Sequence, residues 1–239
     1  MTLLELLKDL TYGELSQLKI GNLLPGEDQS EPDPTRYEQI MSHINMGLKE
    51  IYKRFFLLSR EVYIQQYEQI SVYTLSSKYA QTNTASLEPI KYIMDTVDAP
   101  FLDDTLKIEE VYDEDGNRLP LNDITEVTSI YTPSYRSIQI PEPNNENTLS
   151  VQYRACHPRV IYTPDMDPAD IEIVLPNSLH EALLYYVASR GFSALGGDQG
   201  QEGGDYYKKF ENSCRMVDEL GLEIQGEPGI WRFDDAGWV

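Results

Sequence analysis

Tryptophan, histidine, cysteine and basic residues are all scarce in this 239-residue chain, which has 2 Trp, 3 His, 2 Cys and 19 Lys plus Arg. Each scarcity excludes something. Against 40 Asp plus Glu, the few cations leave a formal charge of −21. The basic footprint that grips nucleic-acid phosphate is therefore missing, and so is a polybasic segment for anionic lipid. Cys156 and Cys214 are too few and too far apart for a secreted disulfide scaffold, and read as free, mostly buried thiols. No run reaches the ~20 apolar residues of a membrane span. The leucine-rich start is broken by Glu5, Lys8 and Asp9 and lacks a basic lead, so it reads as an amphipathic helix of a cytosolic product. Acidity does not mean disorder here, because hydrophobic residues make up 41% of the chain and Tyr alone numbers 17, enough for a core.

Motifs of chemistry are also wanting. His180-Glu181 starts like a zinc-protease helix, but the position four after His180 is Leu184, not a second histidine. Cys156 and His157 are neighbours on an extended stretch and point to opposite faces, which argues against a thiol–base pair. Asp113, Asp115, Gly116 and Asn117 lack the spacing of a calcium loop and read as a solvated hairpin turn. Asp165, Asp167 and Asp170 form a second acidic run, with calcium only as the less favoured reading. The glycines from Gly196 to Gly204 lack the lysine and hydroxyl of a phosphate loop and read as a flexible connection between helices. The sequence offers no catalytic, cofactor-binding or metal-ligating set, and the chain reads as a non-enzyme.

What is present is a clear order of segments. Thr2 and Glu5 match a capping box, with Leu3, Leu7 and Leu10 on one face behind it. Gly21 to Pro34 is a break, and Asp33-Pro34 suits an N-cap followed by proline in the first turn. Tyr37, Ile40, Met41, Ile44, Leu48, Ile51, Tyr52 and Phe55 then recur at helical spacing, with Lys49, Lys53 and Arg54 at the end that favours cations. From residue 59 the period turns toward two. Val62 and Ile64 with Ile70 and Val72 predict a strand pair. Asp115-Gly116 predicts a hairpin, and Leu149, Val151 and Tyr153 alternate with Ser150, Gln152 and Arg154. Ile171, Ile173 and Leu175 predict a last strand. Ser178 and Glu181 predict a second capping box before a helix through Leu183, Val187 and Ala188. A final helix carries Tyr207, Phe210, Cys214 and Val217 and stops at Gly221.

The expected fold is α+β. A four-helix bundle (1–58 and 176–222) carries an antiparallel β domain (59–175) inserted between its second and third helices, and an extended C-terminal arm (223–239) follows. Charge respects this division. Residues 59–175 hold 20 acids against 8 bases, and 95–126 alone hold 11 against 2. Both tryptophans fall in the last nine residues. Ile230, Trp231, Arg232, Phe233, Trp238 and Val239 concentrate the side chains that dominate interfaces, at a chain end that is poorly ordered unless tied down. The arm is therefore expected to dock on a partner, the alternative being that it folds back on its own helices.

The order of these segments resembles a known family. The carriers are the Leu3-to-Leu18 helix, "YEQIMSHINMGLKEIYKRFF" at 37–56, "LKIEEVYDEDGNRLPLND" at 106–123, "LPNSLHEALLYYVASRGFSALGG" at 175–197 and "DYYKKFENSCRMVDELGL" at 205–222. Together they resemble the head-to-tail adaptor (connector) proteins of tailed bacteriophages, the short-tailed type in particular. The resemblance implies a structural virion protein of the neck, assembled in the host cytoplasm. It implies a self-associated ring of twelve subunits under the portal protein, extending the DNA channel and offering a docking site to a tail nozzle or tail tube protein. It places the arm residues Ile230 to Val239 on the portal. It also gives the acidity a use, since a negative wall lets DNA slide past without being held. Another neck or tail-completion protein is the nearest alternative; an acidic binding module or an enzyme is the alternative of a different class.

Overall fold

The computed structural model describes residues 1–16, 34–163, 166–193 and 198–222; side chains are described except at 34–37 and 198–200. The protein is α+β, with four helices and two antiparallel sheets among these residues. The helices are α1 (Leu3–Tyr12), α2 (Pro34–Arg54), α3 (His180–Ser193) and α4 (Asp198–Glu219). Eight strands lie between α2 and α3 in the sequence: β1 (Ser59–Gln65), β2 (Val72–Thr74), β3 (Ile93–Met94), β4 (Thr105–Tyr112), β5 (Arg118–Leu119), β6 (Tyr131–Ser134), β7 (Ser137–Gln139) and β8 (Thr148–Ala155). The described residues divide into two compact units. A helical unit draws on Met1–Phe55 and on His157 onward, and a β unit is the continuous stretch Phe56–Cys156.

In the helical unit, the Thr2 hydroxyl accepts from the Glu5 N–H while the Glu5 carboxylate accepts from the Thr2 N–H, forming the capping box. Behind it Leu3, Leu6, Leu7 and Leu10 are fully buried, each worth about 1.5–3 kcal/mol relative to exposure. The helix stops at Gly13. Along α2 the predicted stripe of Ile40, Met41, Ile44, Leu48, Ile51, Tyr52 and Phe55 is buried, and Lys53 and Arg54 occupy the last turn. Gly47 lets α3 come close, since a Cβ there would meet Leu183 at 2.7 Å and Tyr186 at 3.0 Å.

Three expectations change in this unit. Residues 196–204 read as a loop, yet α4 begins at Asp198 and runs through its glycines. Gly203 sits against the end of α3, where a Cβ would lie 2.9 Å from the Ser193 nitrogen and 3.0 Å from the Ser189 carbonyl. Here the missing side chain serves close packing rather than flexibility. Residues 171–175 read as a strand of the β insertion, but they form only an isolated bridge between Glu172 and Thr2. Their backbone is spent on the helical unit: Leu3 N–H donates to Ile171 O at 2.8 Å, and Ile173 N–H to Met1 O at 2.8 Å. The stretch 157–175 is also tied to α2. Asn45 accepts from Val160 N–H and donates to Val160 O, and Tyr52 OH donates to Val174 O. Nor does the second capping box form. Ser178 lies in a 3-10 turn, and Glu181 instead accepts from Tyr185 OH at 2.7 Å.

In the β unit, the larger sheet has the order β3-β1-β8-β4-β5 and the smaller one β2-β7-β6. The predicted pairing of the Val62–Ile64 strand with Val72 does not occur. β1 pairs with β8 along its whole length, and β2 pairs with β7 in the other sheet. Alternation runs as expected on β8, where Leu149, Val151 and Tyr153 are buried and the residues between them are partly exposed. Both sheets feed one core that includes Ile64, Val111, Val151, Tyr73 and Ile138. The Asp115-Gly116 turn joins β4 to β5, with Gly116 at φ +81°, the left-handed region glycine favours.

Candidate interaction surfaces

Bases on the β unit are largely engaged by its own acids. Arg154 holds Glu109 through two 3.1 Å contacts, Arg118 holds Glu110 at 2.9 Å, and Arg60 holds Asp104 at 3.3 Å. Among the described residues Asp98, Asp113, Glu114, Asp115, Asp123 and Glu126 have no cation within ion-pair distance, so the acidic excess is displayed on loops. Hydrogen bonds keep two of them ionised. The Asn117 side chain and the N–H groups of Asn117 and Asp115 hold the Asp113 carboxyl below its usual range. The Thr125 hydroxyl and N–H do the same for Asp123. These are the bonds of side chains closing turns, which is how the solvated-turn reading of 113–117 is realised.

Two features stand out on this unit. One is a cleft of about 550 Å³ beside β1, walled by the loop 95–102 and lined by Val62, Tyr63, Met94, Phe101, Leu102 and Arg60 among others. That loop is pinned by Asp95. Burial raises its pKa, but bonds from the Thr82 hydroxyl, Thr82 N–H and Phe101 N–H outweigh burial and keep it charged. The other is the closed loop from Leu121 to Ile130. Asn122, at φ +56°, binds Thr132 through both ends of its amide, and Ser129 Oγ accepts from Asp123 N–H and donates to Pro120 O. The loop exposes Ile124 (87%) and Val127 (88%).

A family profile described as SU10 adaptor protein matches residues 10–227 of the chain. The chain belongs to that family, one of phage head-to-tail adaptors. It is thus a bacteriophage adaptor, a structural component of the virion neck. No curated protein matches it. The sequence placed the adaptor's interaction residues at Ile230, Trp231, Arg232, Phe233, Trp238 and Val239, all of which lie outside the described residues. It passed over Ile124 and Val127, although two β-branched aliphatics in an otherwise polar stretch were a readable signal.

The adaptor's helical unit also carries an acid-sensitive joint. His157 donates from Nδ1 to Pro158 O at 2.5 Å and accepts from Val174 N–H at Nε2, 3.2 Å, which requires the neutral ring. Burial lowers its pKa, partly offset by the Pro158 carbonyl; burial and then the Arg190 cation lower that of His43. The unfolded chain therefore binds more protons below about pH 6.5. The stability from these two rings is complete above that pH and is lost as pH falls toward the depressed native values. Between pH 7.5 and 5.5 the wild type should lose more melting temperature than a His43→Gln/His157→Gln double variant. Parallel profiles would refute this.

Proposed function

We propose that this adaptor forms a ring, of twelve copies by the family resemblance, that attaches under the portal protein, extends the DNA channel and gives a tail nozzle or tail tube protein its docking site. The four helices act as one bundle bearing the β-rich part as an insertion, and residues 223–239 act as an arm. The observation that carries the reading is the family match over residues 10–227. The arm residues Ile230, Trp231, Arg232, Phe233, Trp238 and Val239 grip the portal, since Trp and Arg are the side chains on which interface energies concentrate. The acidic loops support a channel that DNA traverses unheld, because like charge repels phosphate and offers no counterion release. No catalytic step and no cofactor enter this role, and it needs no membrane.

Deleting residues 229–239 tests it. The truncated protein should keep its circular dichroism and melting temperature within a few degrees, while co-sedimentation with portal is lost. Retained co-sedimentation would overturn the portal-arm reading. Loss of the fold would show the arm to be part of the protein's own packing.

A further inference from the structure

One edge of the larger sheet is only half covered. β3 is the edge strand, and it pairs with β1 at Tyr63 and Ile64 alone. It stops there because the chain turns at once: Thr96 N–H donates to Ala99 O, and Ala99 N–H donates to Thr96 O.

The ladder decides which β1 groups are left over. In an antiparallel pair, alternate residues turn both backbone groups to the same neighbour. Gln65 N–H donates to Tyr92 O at 2.9 Å, just before β3. On the β8 side, Gln66 N–H donates to Asn147 O and Leu58 O accepts from Ala155 N–H. Odd-numbered residues of β1 therefore face β3, and even-numbered ones face β8. Tyr63 finds its partner in Met94. Glu61 and Ser59 turn N–H and C=O to the same edge, where no strand among the described residues pairs with them. From Ser59 to Val62 the open edge is about 14 Å long. Unpaired edges of this kind are templates for another strand.

The open edge borders the 550 Å³ cleft, which Glu61 and Val62 both line. Val62, Phe101 and Leu102 give it apolar walls, and Glu61, Asp95 and Asp98 give it acids. Its base, Arg60, is committed to Asp104 at 3.3 Å. Glu61 and Asp98 are exposed. Charge therefore selects a basic occupant. A second copy presents the same acidic edge and is repelled by it. The chain's own free end does not suit either, since residues 223–239 hold four acids against one base.

We infer that the open β1 edge takes an added strand from a different protein, an extended segment that alternates Lys or Arg with aliphatic residues. A cation opposite Glu61 makes a cross-strand pair of opposite charge. The aliphatic neighbours then point to the other face, toward Val62 and the cleft wall. Main-chain bonds to Ser59 and Glu61 supply affinity, and the alternate side chains supply selection. The contact belongs to a single adaptor copy and holds whether or not copies close into a ring.

The probe is a blocked, labelled octapeptide of Lys-Val repeats, titrated into the full-length adaptor and followed by fluorescence anisotropy. It should bind and slow hydrogen exchange at the Ser59 and Glu61 amides. The Glu-Val counterpart should bind at least about tenfold more weakly, by like-charge repulsion. So should a Lys-Val peptide methylated on its lysine backbone nitrogens, which face β1 when Lys lies opposite Glu61. A Glu61→Lys/Asp98→Lys variant changes two exposed positions. It should keep its circular dichroism and reverse the preference between the two peptides. Absence of binding at about 1 mM Lys-Val peptide would overturn the inference. Equal binding of the methylated peptide would mean attraction without an added strand, and an unchanged preference in the variant would put the peptide elsewhere; either overturns it. A gain of about tenfold on deleting residues 229–239 would make the arm the occupant in place of a partner.

Discussion

Phe210→Ala should destabilise the helical unit by about 3–5 kcal/mol, the usual cost of emptying a buried aromatic site. Phe210 is fully buried on α4. Its ring meets Tyr186 of α3 edge-on at 5.2 Å and lies 4.8 Å from the Arg54 guanidinium at the end of α2. Arg54 is fixed in that position by a forked pair with Glu211, the residue that follows Phe210, at 2.8 and 2.5 Å. The ring thus joins α4 to two other helices, and truncation removes contacts to both. Collapse around the hole is limited because Gly47 and Gly203 already bring the helices to van der Waals contact. Phe210→Leu, which keeps most of the volume, should cost less than half as much. Urea unfolding followed by circular dichroism measures both. A loss below about 1 kcal/mol for the alanine variant would contradict the role given to this ring.

The second large effect belongs to the β unit. Tyr73→Ala should cost about 3–5 kcal/mol, and Tyr73→Phe about 1–3 kcal/mol. The Tyr73 hydroxyl accepts from Tyr67 N–H at 2.7 Å and donates to Tyr67 O at 3.1 Å, so one oxygen satisfies both backbone groups of one residue. Tyr92 repeats the arrangement on Thr74, at 2.8 and 2.9 Å, and its ring stands edge-on to Tyr73 at 5.0 Å. Burial pushes both phenols up from their ordinary pKa, so they remain hydroxyls able to donate and accept. The phenylalanine variant keeps the packing and strands the Tyr67 N–H, while Tyr67 O keeps its bond from Ile70 N–H; the alanine variant loses the packing as well. Equal costs for the two variants would show that the hydroxyl carries the whole effect, contrary to expectation.

Local patterns were legible in the sequence wherever one element decided its own fate. The box at Thr2 and Glu5, the α2 stripe, the Asp115-Gly116 turn and the alternation on β8 each depend on residues a few positions apart. Pairings between distant segments were not legible. Val72 alternates like a strand, but nothing in its own residues says that Gln139 rather than β1 is its neighbour. Ile171 and Ile173 carry strand-like residues whose backbone is claimed by Met1 and Leu3, more than 160 positions away. The glycines of α4 misled for a different reason. They resemble a linker by composition, while the close approach that Gly203 permits is to α3. The candidate surfaces were half readable: Ile124 and Val127 stood in the sequence as exposed aliphatics, but the cleft needs β1, β3 and the 95–102 loop together. The family resemblance reached further than these local patterns because it draws on the order of whole segments.

The bonds from Met1 and Leu3 to Ile171 and Ile173 have a consequence for synthesis on the ribosome. The β unit is one continuous stretch, so all of its strands have emerged by residue 156. The helical unit cannot be completed at that point. Asn45 waits for Val160, Tyr52 for Val174, and the first turn of α1 for Ile171. Its oldest segments, with the buried leucines of α1 and the apolar face of α2, therefore remain unsatisfied until nearly three quarters of the chain has been made. During that interval the β unit can mature alone, and the nascent protein shows its most aggregation-prone surface at its N-terminal end.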